Sequence, residues 1–424
     1  MISQDMYKLA IKLFPINRSL SGDGVRETLQ ILKEYNPELQ IYSIKSKIKV
    51  FDWEVPKEWN CFEAYIITPD GEKICDYHHN NLHLVQYSIP FEETISLEEL
   101  QKHLYSYKKL SDAIPYVTSY YNEKWGFCIS EDDRKKLKNG KYKVVIKSEL
   151  KDGVLNYADI VIPGKSKDEI MFSTYICHPS MANNELSGPV LATYLAKYIK
   201  TLDNFYTYRF VFAPETIGSL IYMSDKLDVL KKNVKAGFIL TCVGDDRDYS
   251  YLASRYGDTL ADKVSLNILN NEIKDFKKYS FLNRGSDERQ YCSPGIDLPF
   301  CTVMRTKYGR YPEYHTSKDD LNLISAKGLK GSYNIYLKII NVLENNFYYN
   351  MNVLGEPQLG KRGLYPTECK PDTNYKLARL YTNFLAYCDG RNDLIDIANI
   401  IGVSADKLIE IAKVFLEHNL IEIK

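Results

Sequence analysis

The sequence lacks a long apolar run, an excess of charge of either sign and any closely spaced pair of cysteines. Its 55 basic and 55 acidic side chains balance, so no overall field attracts nucleic acid or an anionic membrane. No stretch reaches the roughly 20 apolar residues that cross a bilayer, and the opening MISQDMYKLAIKLF has amphipathic-helix spacing, unlike a secretory signal. The nine cysteines include no C-x-x-C pair, which favours reduced thiols in the cytoplasm over disulfides or a thiolate zinc finger. We therefore expect a cytoplasmic globular protein without membrane contact.

The chain of 424 residues is long enough for about two or three domains. Between residues 41 and 130 the pattern changes from helical spacing to short β-type runs, and Asp70-Gly71 is a hairpin signal. This segment is predicted to be a small β-rich domain inserted into a discontinuous main domain of residues 1–40 and 131–350.

The last part of the chain, residues 355–424, is predicted to be a winged-helix domain. Three short helical patterns precede an apolar edge strand, and the segment from Ile397 to Ser404 has helix-turn-helix spacing. Between residues 371 and 424 we count six basic and eight acidic side chains. A DNA-binding domain needs an excess of positive charge to neutralise phosphates, and this segment has none. We therefore expect the domain to serve docking or dimerisation.

The main domain alternates strands with helices. A predicted hairpin at Lys151-Asp152-Gly153 joins KYKVVIKSEL to LNYADIVIPG, and the apolar strands EIMFSTYIC, TYRFVFAP, AGFILTCVG and LPFCTVM follow. This order predicts an α/β fold with a mostly parallel mixed sheet and helices on both faces. In such sheets the functional residues lie in loops beyond the carboxyl ends of the strands.

Three of these strand-end loops contain the polar residues that could perform chemistry. The first runs from Cys177 to Gly188 and holds His178, the second holds Glu215, and the third runs from Tyr311 to Asp320 and holds His315. Neutral imidazole is the commonest metal ligand, and a carboxylate beside the metal can transfer the proton of an attacking water. Each loop alone fits a structural role as well, but the three together predict a metal centre.

The order of these loops resembles that of the zinc aminopeptidases with a co-catalytic metal pair. It is closer still to an aminopeptidase-like family of unknown activity associated with polysaccharide biosynthesis. The resemblance covers about residues 140–345 and implies that His178 is the first metal ligand, Glu215 the general base and His315 the last ligand. The trailing aspartate of the last motif falls on Asp320 or Asp319.

The sequence departs from the aminopeptidase pattern at three ligand positions. Asn184 replaces the bridging aspartate, Thr216 the second glutamate of the Glu-Glu pair, and Thr241 the aspartate that ends a strand. Two cations close together without a bridging carboxylate would repel each other. We therefore expect one zinc ion, held by His178, His315 and the side-chain carbonyl of Asn184.

Other residues are candidates for secondary roles. Glu185 or Asp287 could replace Asn184 as the oxygen ligand. Four residues are predicted to contact substrate: Asp287, Arg289, Tyr314 and His78. Arg305 and Arg310 are further candidates for binding a substrate carboxylate, although a solvated or structural ion pair is the commoner role for each of these arginines. Cys177 is expected to be a buried reduced thiol and not a nucleophile.

The predicted function is metal-dependent hydrolysis of an amide or peptide bond in a small substrate. A non-catalytic binding or assembly protein that has lost metal ligands is the alternative. A nucleic-acid regulator would need a basic recognition face that the sequence does not contain. A homodimer is expected from the additional domains.

Overall fold

The computed structural model describes residues 2–365 and 374–424. Among these residues no helix combines the length and the apolar character that crossing a membrane requires. The helices are α1 Ile2–Leu13, α2 Asp23–Tyr35, α3 Leu97–Lys102, α4 Glu131–Arg134, α5 Ser187–Ile199, α6 Ile217–Asn233, α7 Leu260–Glu272, α8 Glu288–Tyr291, α9 Ala326–Glu344, α10 Asn374–Ala386, α11 Leu394–Ile401 and α12 Ala405–Glu417.

The strands vary from two to eleven residues. They are β1 Gln40–Lys45, β2 Lys49–Val50, β3 Trp53–Glu54, β4 Glu58–Ile67, β5 Lys73–Ile74, β6 Phe91–Ser96, β7 Leu104–Tyr105, β8 Phe127–Cys128, β9 Lys141–Lys151, β10 Val154–Ile162, β11 Glu169–Tyr175, β12 Thr207–Ala213, β13 Val234–Ile239, β14 Ser250–Leu252, β15 Lys277–Tyr279, β16 Phe300–Met304, β17 Tyr348–Met351, β18 Asp389–Asp393 and β19 Ile421–Ile423.

The main sheet has eight strands in the order β1-β10-β12-β11-β13-β16-β14-β15. The four central strands β12, β11, β13 and β16 are mutually parallel, while β1, β10 and the β14–β16 pair add antiparallel edges. The predicted mixed α/β sheet is therefore confirmed. Because the central strands are parallel and adjacent, their carboxyl ends meet at one edge of the sheet.

The core of the main sheet is apolar, as expected for strands covered on both faces. Each residue of β11 is buried, and the Phe172 ring stacks against Phe210 and Phe238 on the two neighbouring strands. Helix α5 begins against this sheet at Gly188, where a Cβ atom would lie 2.2 Å from the carbonyl oxygen of Leu240. Only glycine permits this close approach of helix and strand.

A smaller sheet of four strands has the order β5-β4-β9-β6. The turn at Asp70-Gly71 joins β4 to β5 as predicted. The hairpin predicted at Lys151-Asp152-Gly153 is wrong, because in the described residues β9 pairs with β4 and β6 whereas β10 pairs with β1 and β12. The turn signal is local, and the long partner strand β4 recruits β9 into the other sheet.

A second compact unit contains Asp258–Phe276 and Asn334–Lys424. Its three-stranded sheet has the order β18-β17-β19, and α11 packs against both α12 and α7. The Asn267 side chain of α7 donates to Asn399 Oδ1 at 2.7 Å and to Val403 O at 3.2 Å, and accepts from Ala405 N at 2.7 Å. The predicted winged-helix span of 355–424 falls in this unit, except that residues 366–373 lie outside the described part.

Candidate active site

His178 lies three residues beyond the end of β11, in the turn that leads to α5. The turn contains Ser180, whose φ is 40°, and a π-helical segment, Ala182–Leu186. These features fold the chain back so that Glu185 Oε2 lies 2.8 Å from His178 Nδ1. When Glu185 is ionised, Nδ1–H donates to it and Nε2 keeps its lone pair for a ligand.

Arg18, between α1 and α2, completes this support. Its guanidinium is fully buried, with Nε 3.7 Å from Glu185 Oε1. It also donates to the carbonyls of His178 at 3.2 Å and Leu13 at 2.7 Å. Burial raises the pKa of Glu185 to about 8 while the Arg18 charge opposes that rise. No local signal in the sequence pointed to Arg18, because its partners are distant in the chain.

His315 approaches from the third loop, beyond β16. Its backbone is left-handed, with φ of 56°, and its carbonyl accepts from Tyr116 N at 2.9 Å. The His178 and His315 ring centroids are 5.4 Å apart. Burial lowers the pKa of each imidazole to about 3, the Arg18 charge adding to the effect on His178. Both rings are therefore neutral at physiological pH, the form that binds a metal.

Glu215 enters the site from the end of β12. Its Oε2 lies 3.7 Å from His178 Nε2, and its backbone N–H donates to Cys177 Sγ at 3.2 Å. Burial and the nearby Asp287 carboxylate raise the pKa of Glu215 to about 8, against the opposing charge of Arg289. The site therefore brings together His178, His315 and Glu215, as the sequence predicts.

Asp287 fixes the backbone next to Glu215. Its Oδ1 accepts from Thr216 N at 2.7 Å and from Ser219 Oγ at 3.2 Å. Thr216 has a φ of 66°, a strained conformation for a β-branched residue. The hydrogen bond that the Thr216 N–H donates to Asp287 holds that conformation, so Asp287 shapes the turn that presents Glu215.

Asn184, in the place of the bridging aspartate, lies in the same turn as Glu185. Its side-chain Nδ2 donates to Tyr175 Oη at 2.8 Å. Its backbone carbonyl oxygen accepts from Thr241 Oγ1 at 3.0 Å. Its side-chain Oδ1 is buried without a hydrogen-bond partner. The amide is therefore oriented with a free oxygen acceptor.

Asp319, and not Asp320, supports this loop. Its carboxylate accepts from the backbone N–H groups of Asn183 at 2.6 Å and Asn184 at 3.0 Å, and from Tyr311 Oη at 3.0 Å. Asp320 instead accepts from Asn322. The histidine loop and the His315 loop are thus joined by hydrogen bonds.

The donor set fits one metal ion and not a pair. Asn184 Oδ1 and His315 Nε2 are both buried without hydrogen-bond partners, which is costly unless a further group satisfies them. Two positions that carry acidic ligands in the aminopeptidase pattern are threonines here, and both hydroxyls are already hydrogen-bonded. Thr216 accepts from Arg289, and Thr241 is bonded to Tyr175.

A second group of possible ligands lies around His178 Nδ1, on the other side of the ring from Nε2. Among the described residues, Cys177, His178 and Glu185 have donor atoms that all lie within 4.8 Å of one another. Burial raises the pKa of the Cys177 thiol well above its ordinary value, and Arg18 places a positive charge beside Glu185. Both conditions disfavour a cation there, so we interpret this group as a hydrogen-bonded support for His178.

The remaining predicted residues lie at different distances from this centre. Arg289 lines a cavity of about 220 Å³ together with Glu215, and the Tyr314 ring stacks on His315 at 3.9 Å. His78 is exposed and its described contacts are with Asp76 and Tyr77. Arg305 and Arg310 lie over the rings of Tyr249 and Tyr279.

Tyr116 is a site residue that the sequence did not indicate. Its ring centroid is 5.1 Å from the centroids of both His178 and His315, and its hydroxyl is 2.7 Å from Tyr120 Oη. The segment around it has no catalytic motif, so only the folded chain brings this tyrosine to the histidine pair.

Comparisons with known proteins agree with this architecture. A family described as a domain of unknown function, DUF4910, matches residues 7–346, and a winged helix-turn-helix family matches residues 346–423. A Clostridium acetobutylicum protein, whose name refers to polysaccharide biosynthesis and an aminopeptidase-like domain, is 44% identical over 396 residues, which cover 93% of this chain and 90% of that protein.

Solved structures extend the comparison. A crystal structure from Clostridium acetobutylicum, provisionally named a peptidase, matches with a TM-score of 0.93 and 42% identity, covering 100% of this chain and 96% of that one. A zinc aminopeptidase from Bacillus subtilis matches with a TM-score of 0.58 and 13% identity, covering 79% and 93% of the two chains, and shares the fold. The predicted resemblance, the aminopeptidase-like fold and the winged helix are confirmed.

Proposed function

Because this chain belongs to the family of the domain of unknown function DUF4910 and has the fold of a zinc aminopeptidase, we propose that it is a metal-dependent hydrolase of amide bonds. The proposal includes one zinc ion, with His178, His315 and Asn184 as ligands. The main support for this proposal is that His178, His315 and Glu215 converge at one edge of the sheet. The three uncharged ligand positions support one ion over a metal pair.

Each residue has a distinct part in the reaction. Zinc held by these residues would supply Lewis-acid polarisation of the substrate carbonyl. Glu215 accepts a proton from the attacking water and returns it to the leaving nitrogen as the C–N bond breaks. The environment that raises the pKa of Glu215 favours retention of that proton between the two transfers. Glu185 holds His178 in the tautomer that leaves Nε2 available.

The alternative of a non-catalytic binding protein is less well supported. A protein without chemistry has no need for the strained Thr216 turn that presents Glu215, nor for a buried Arg18–Glu185 pair behind His178. Both arrangements cost stability, and both serve a positioned base and a positioned ligand.

The biological setting is also a proposal. The name of the 44% identical relative supports a role associated with polysaccharide biosynthesis, with a small peptide or amide as substrate. The structure shows no disulfide among the eight described cysteines, which supports the cytoplasm; Cys369 lies outside the described residues. A homodimer, and the expectation that nucleic acid is not a partner, remain predictions.

Metal analysis combined with one substitution tests the function. We expect the purified full-length protein to bind about one zinc per chain, with anomalous scattering locating the ion between His178 and His315. Glu215→Gln should lower amide hydrolysis about 10²- to 10⁴-fold while zinc remains bound. Glu34→Gln, an exposed glutamate paired with Lys12, is the matched control. Absence of bound metal, or an unchanged rate in Glu215→Gln, would refute the proposal.

A further inference from the structure

The cavity beside Glu215 is small and has mixed walls. Its volume is about 220 Å³, and its lining includes Leu20, Trp53, Tyr121, Glu215, Ile217 and Arg289. Pockets for drug-sized ligands measure roughly 300–1,000 Å³, so this one admits about one amino-acid side chain with its attached polar group. Its occupant is therefore a small molecule or the end of a larger one.

Aromatic rings form one wall of the cavity. Trp53 and Tyr121 leave 40% and 51% of their surfaces exposed, and their ring centroids are 6.3 Å apart. Exposed large aromatic side chains grouped around a concavity are typical of ligand sites. Leu20 and Ile217 are buried beneath them, so this side of the cavity suits an aromatic or aliphatic group.

Arg289 adds a positively charged group to the lining of the same cavity. Arg289 as a whole is exposed, and its guanidinium donates to the Thr216 hydroxyl. In the part of the chain that the structure describes, no carboxylate lies within 4.0 Å of it. Arg18, Arg209 and Arg247, by contrast, each have a carboxylate partner. Arginine has five N–H donors in a planar fork, so Arg289 has donors available for a carboxylate on a ligand.

The charges in the cavity disfavour a free amino group. A cationic amine would need an anionic partner and would be repelled by Arg289. Of the carboxylates near Arg289, Glu215 is the proposed base and Asp287 uses Oδ1 to hold Thr216 and Ser219. The third, Glu288, accepts from Gly285 N, Ser286 N and Tyr308 Oη. An anionic substrate avoids this conflict.

We propose that this cavity binds the carboxylate and apolar side chain of an N-acyl amino acid. Arg289 pairs with the carboxylate, the side chain packs against Trp53 and Tyr121, and the amide lies beside Glu215. This inference rests on the proposed hydrolase function for its reaction. Water oxygen bonds to the acyl carbon, the C–N bond breaks and the nitrogen takes the proton, giving a carboxylic acid and an amino acid.

Three ligands of similar shape test the charge preference. N-acetyl-L-phenylalanine carries the carboxylate, N-acetyl-L-phenylalaninamide is neutral, and L-phenylalaninamide carries a free amine. Binding to the full-length protein is measured by calorimetry with and without zinc, and release of amine is measured in the same samples. We expect the carboxylate ligand to bind most tightly, because it alone pairs with Arg289.

Substitution of the arginine assigns the effect to this residue. Arg289→Gln should weaken binding of N-acetyl-L-phenylalanine about 10- to 100-fold and leave the neutral ligand unchanged. Arg289→Lys, which keeps the charge but loses the planar fork, should give an intermediate loss. Arg284→Gln is the matched control, since Arg284 is exposed and its described contacts are with Phe281. Circular dichroism checks that each variant is folded.

The outcomes separate this inference from the proposed function. Equal binding of the acid and its neutral amide, tighter binding of the free amine, or insensitivity to Arg289→Gln would overturn the assignment of the cavity. Arginine-dependent binding without hydrolysis in the presence of zinc would support the cavity and remove the hydrolase proposal. Hydrolysis of L-phenylalaninamide in preference to the N-acyl acid would support a hydrolase and reject this substrate class.

Discussion

At the scale of single residues, Glu185 lies where it would support the proposed zinc ion without being its ligand. The sequence left open whether Glu185 is itself the oxygen ligand. The structure places it on the Nδ1 side of His178, behind the ring, where it also faces Arg18. A charged acceptor behind an imidazole makes the exposed nitrogen a better ligand and fixes the orientation of the ring.

Removing the charge of Glu185 should therefore weaken zinc binding. We expect Glu185→Gln to lower the affinity for zinc about 10- to 100-fold above pH 8, where Glu185 is ionised, because a neutral amide is a weaker acceptor for Nδ1–H and does not balance Arg18. Competition with a chromophoric chelator measures this affinity without reference to activity. The matched control is Glu288→Gln, which removes the charge of an equally buried carboxylate that is not bonded to His178. Unchanged zinc affinity in Glu185→Gln would contradict the positioning role.

Asn184 offers the opposite experiment. Amide oxygen is a poorer zinc ligand than carboxylate, so Asn184→Asp should tighten zinc binding by about tenfold or more if one charge is gained at the ion. The same chelator competition detects the change, and the amount of bound zinc should stay near one per chain. A second zinc in this variant would show that the two threonine positions do not prevent a metal pair.

At the scale of elements, the sequence predicted the residues that follow strands and missed those that arrive from elsewhere. Apolar strands followed by polar loops carry a local signal, and parallel pairing then brings His178, Glu215 and His315 together. Arg18 and Tyr116 have no such signal, because long-range contacts bring them to the site. The turn after Lys151 was misinterpreted for the same reason, since the choice of partner strand is decided by distant residues.

The junction between helix α5 and the sheet gives a test at this scale. Gly188→Ala should lower the free energy of unfolding by about 1–3 kcal/mol, because the added Cβ would lie 2.2 Å from Leu240 O and 2.3 Å from Thr174 Oγ1. Chemical denaturation measures the loss. Gly360→Ala is the control, since its Cβ would meet nothing closer than 4.0 Å. Equal stability of the two variants would show that the contact at Gly188 relaxes freely.

At the scale of the whole molecule, the winged helix is not a simple appendage in sequence. Its compact unit includes α7, which comes from the middle of the chain. Asn267 on α7 satisfies backbone groups of Val403 and Ala405, and without it the buried Ala405 N–H would lose this partner. The unit therefore folds from two separated segments.

Asn267→Ala should consequently destabilise this unit. We expect a loss of about 1–3 kcal/mol in its unfolding free energy, because buried backbone groups lose their partners. Hydrogen exchange across residues 394–417, read by mass spectrometry, would report faster opening. The exposed neighbour Asn271 donates to Asn267 O, so Asn271→Ala is the matched control. Exchange rates that are equal in the two variants would exclude the bridging role of Asn267.

The amide of Asn184 also has a genetic consequence. Asparagine and aspartate codons differ at the first base alone, so one nucleotide change would place a carboxylate at the third proposed ligand position. Changing Thr216 to glutamate and Thr241 to aspartate requires several further base changes, and each would first break the hydrogen bond to Arg289 or to Tyr175. If the proposed zinc site exists, a stronger single-metal site is thus one mutational step away from this gene, whereas a two-metal site would require several further base changes.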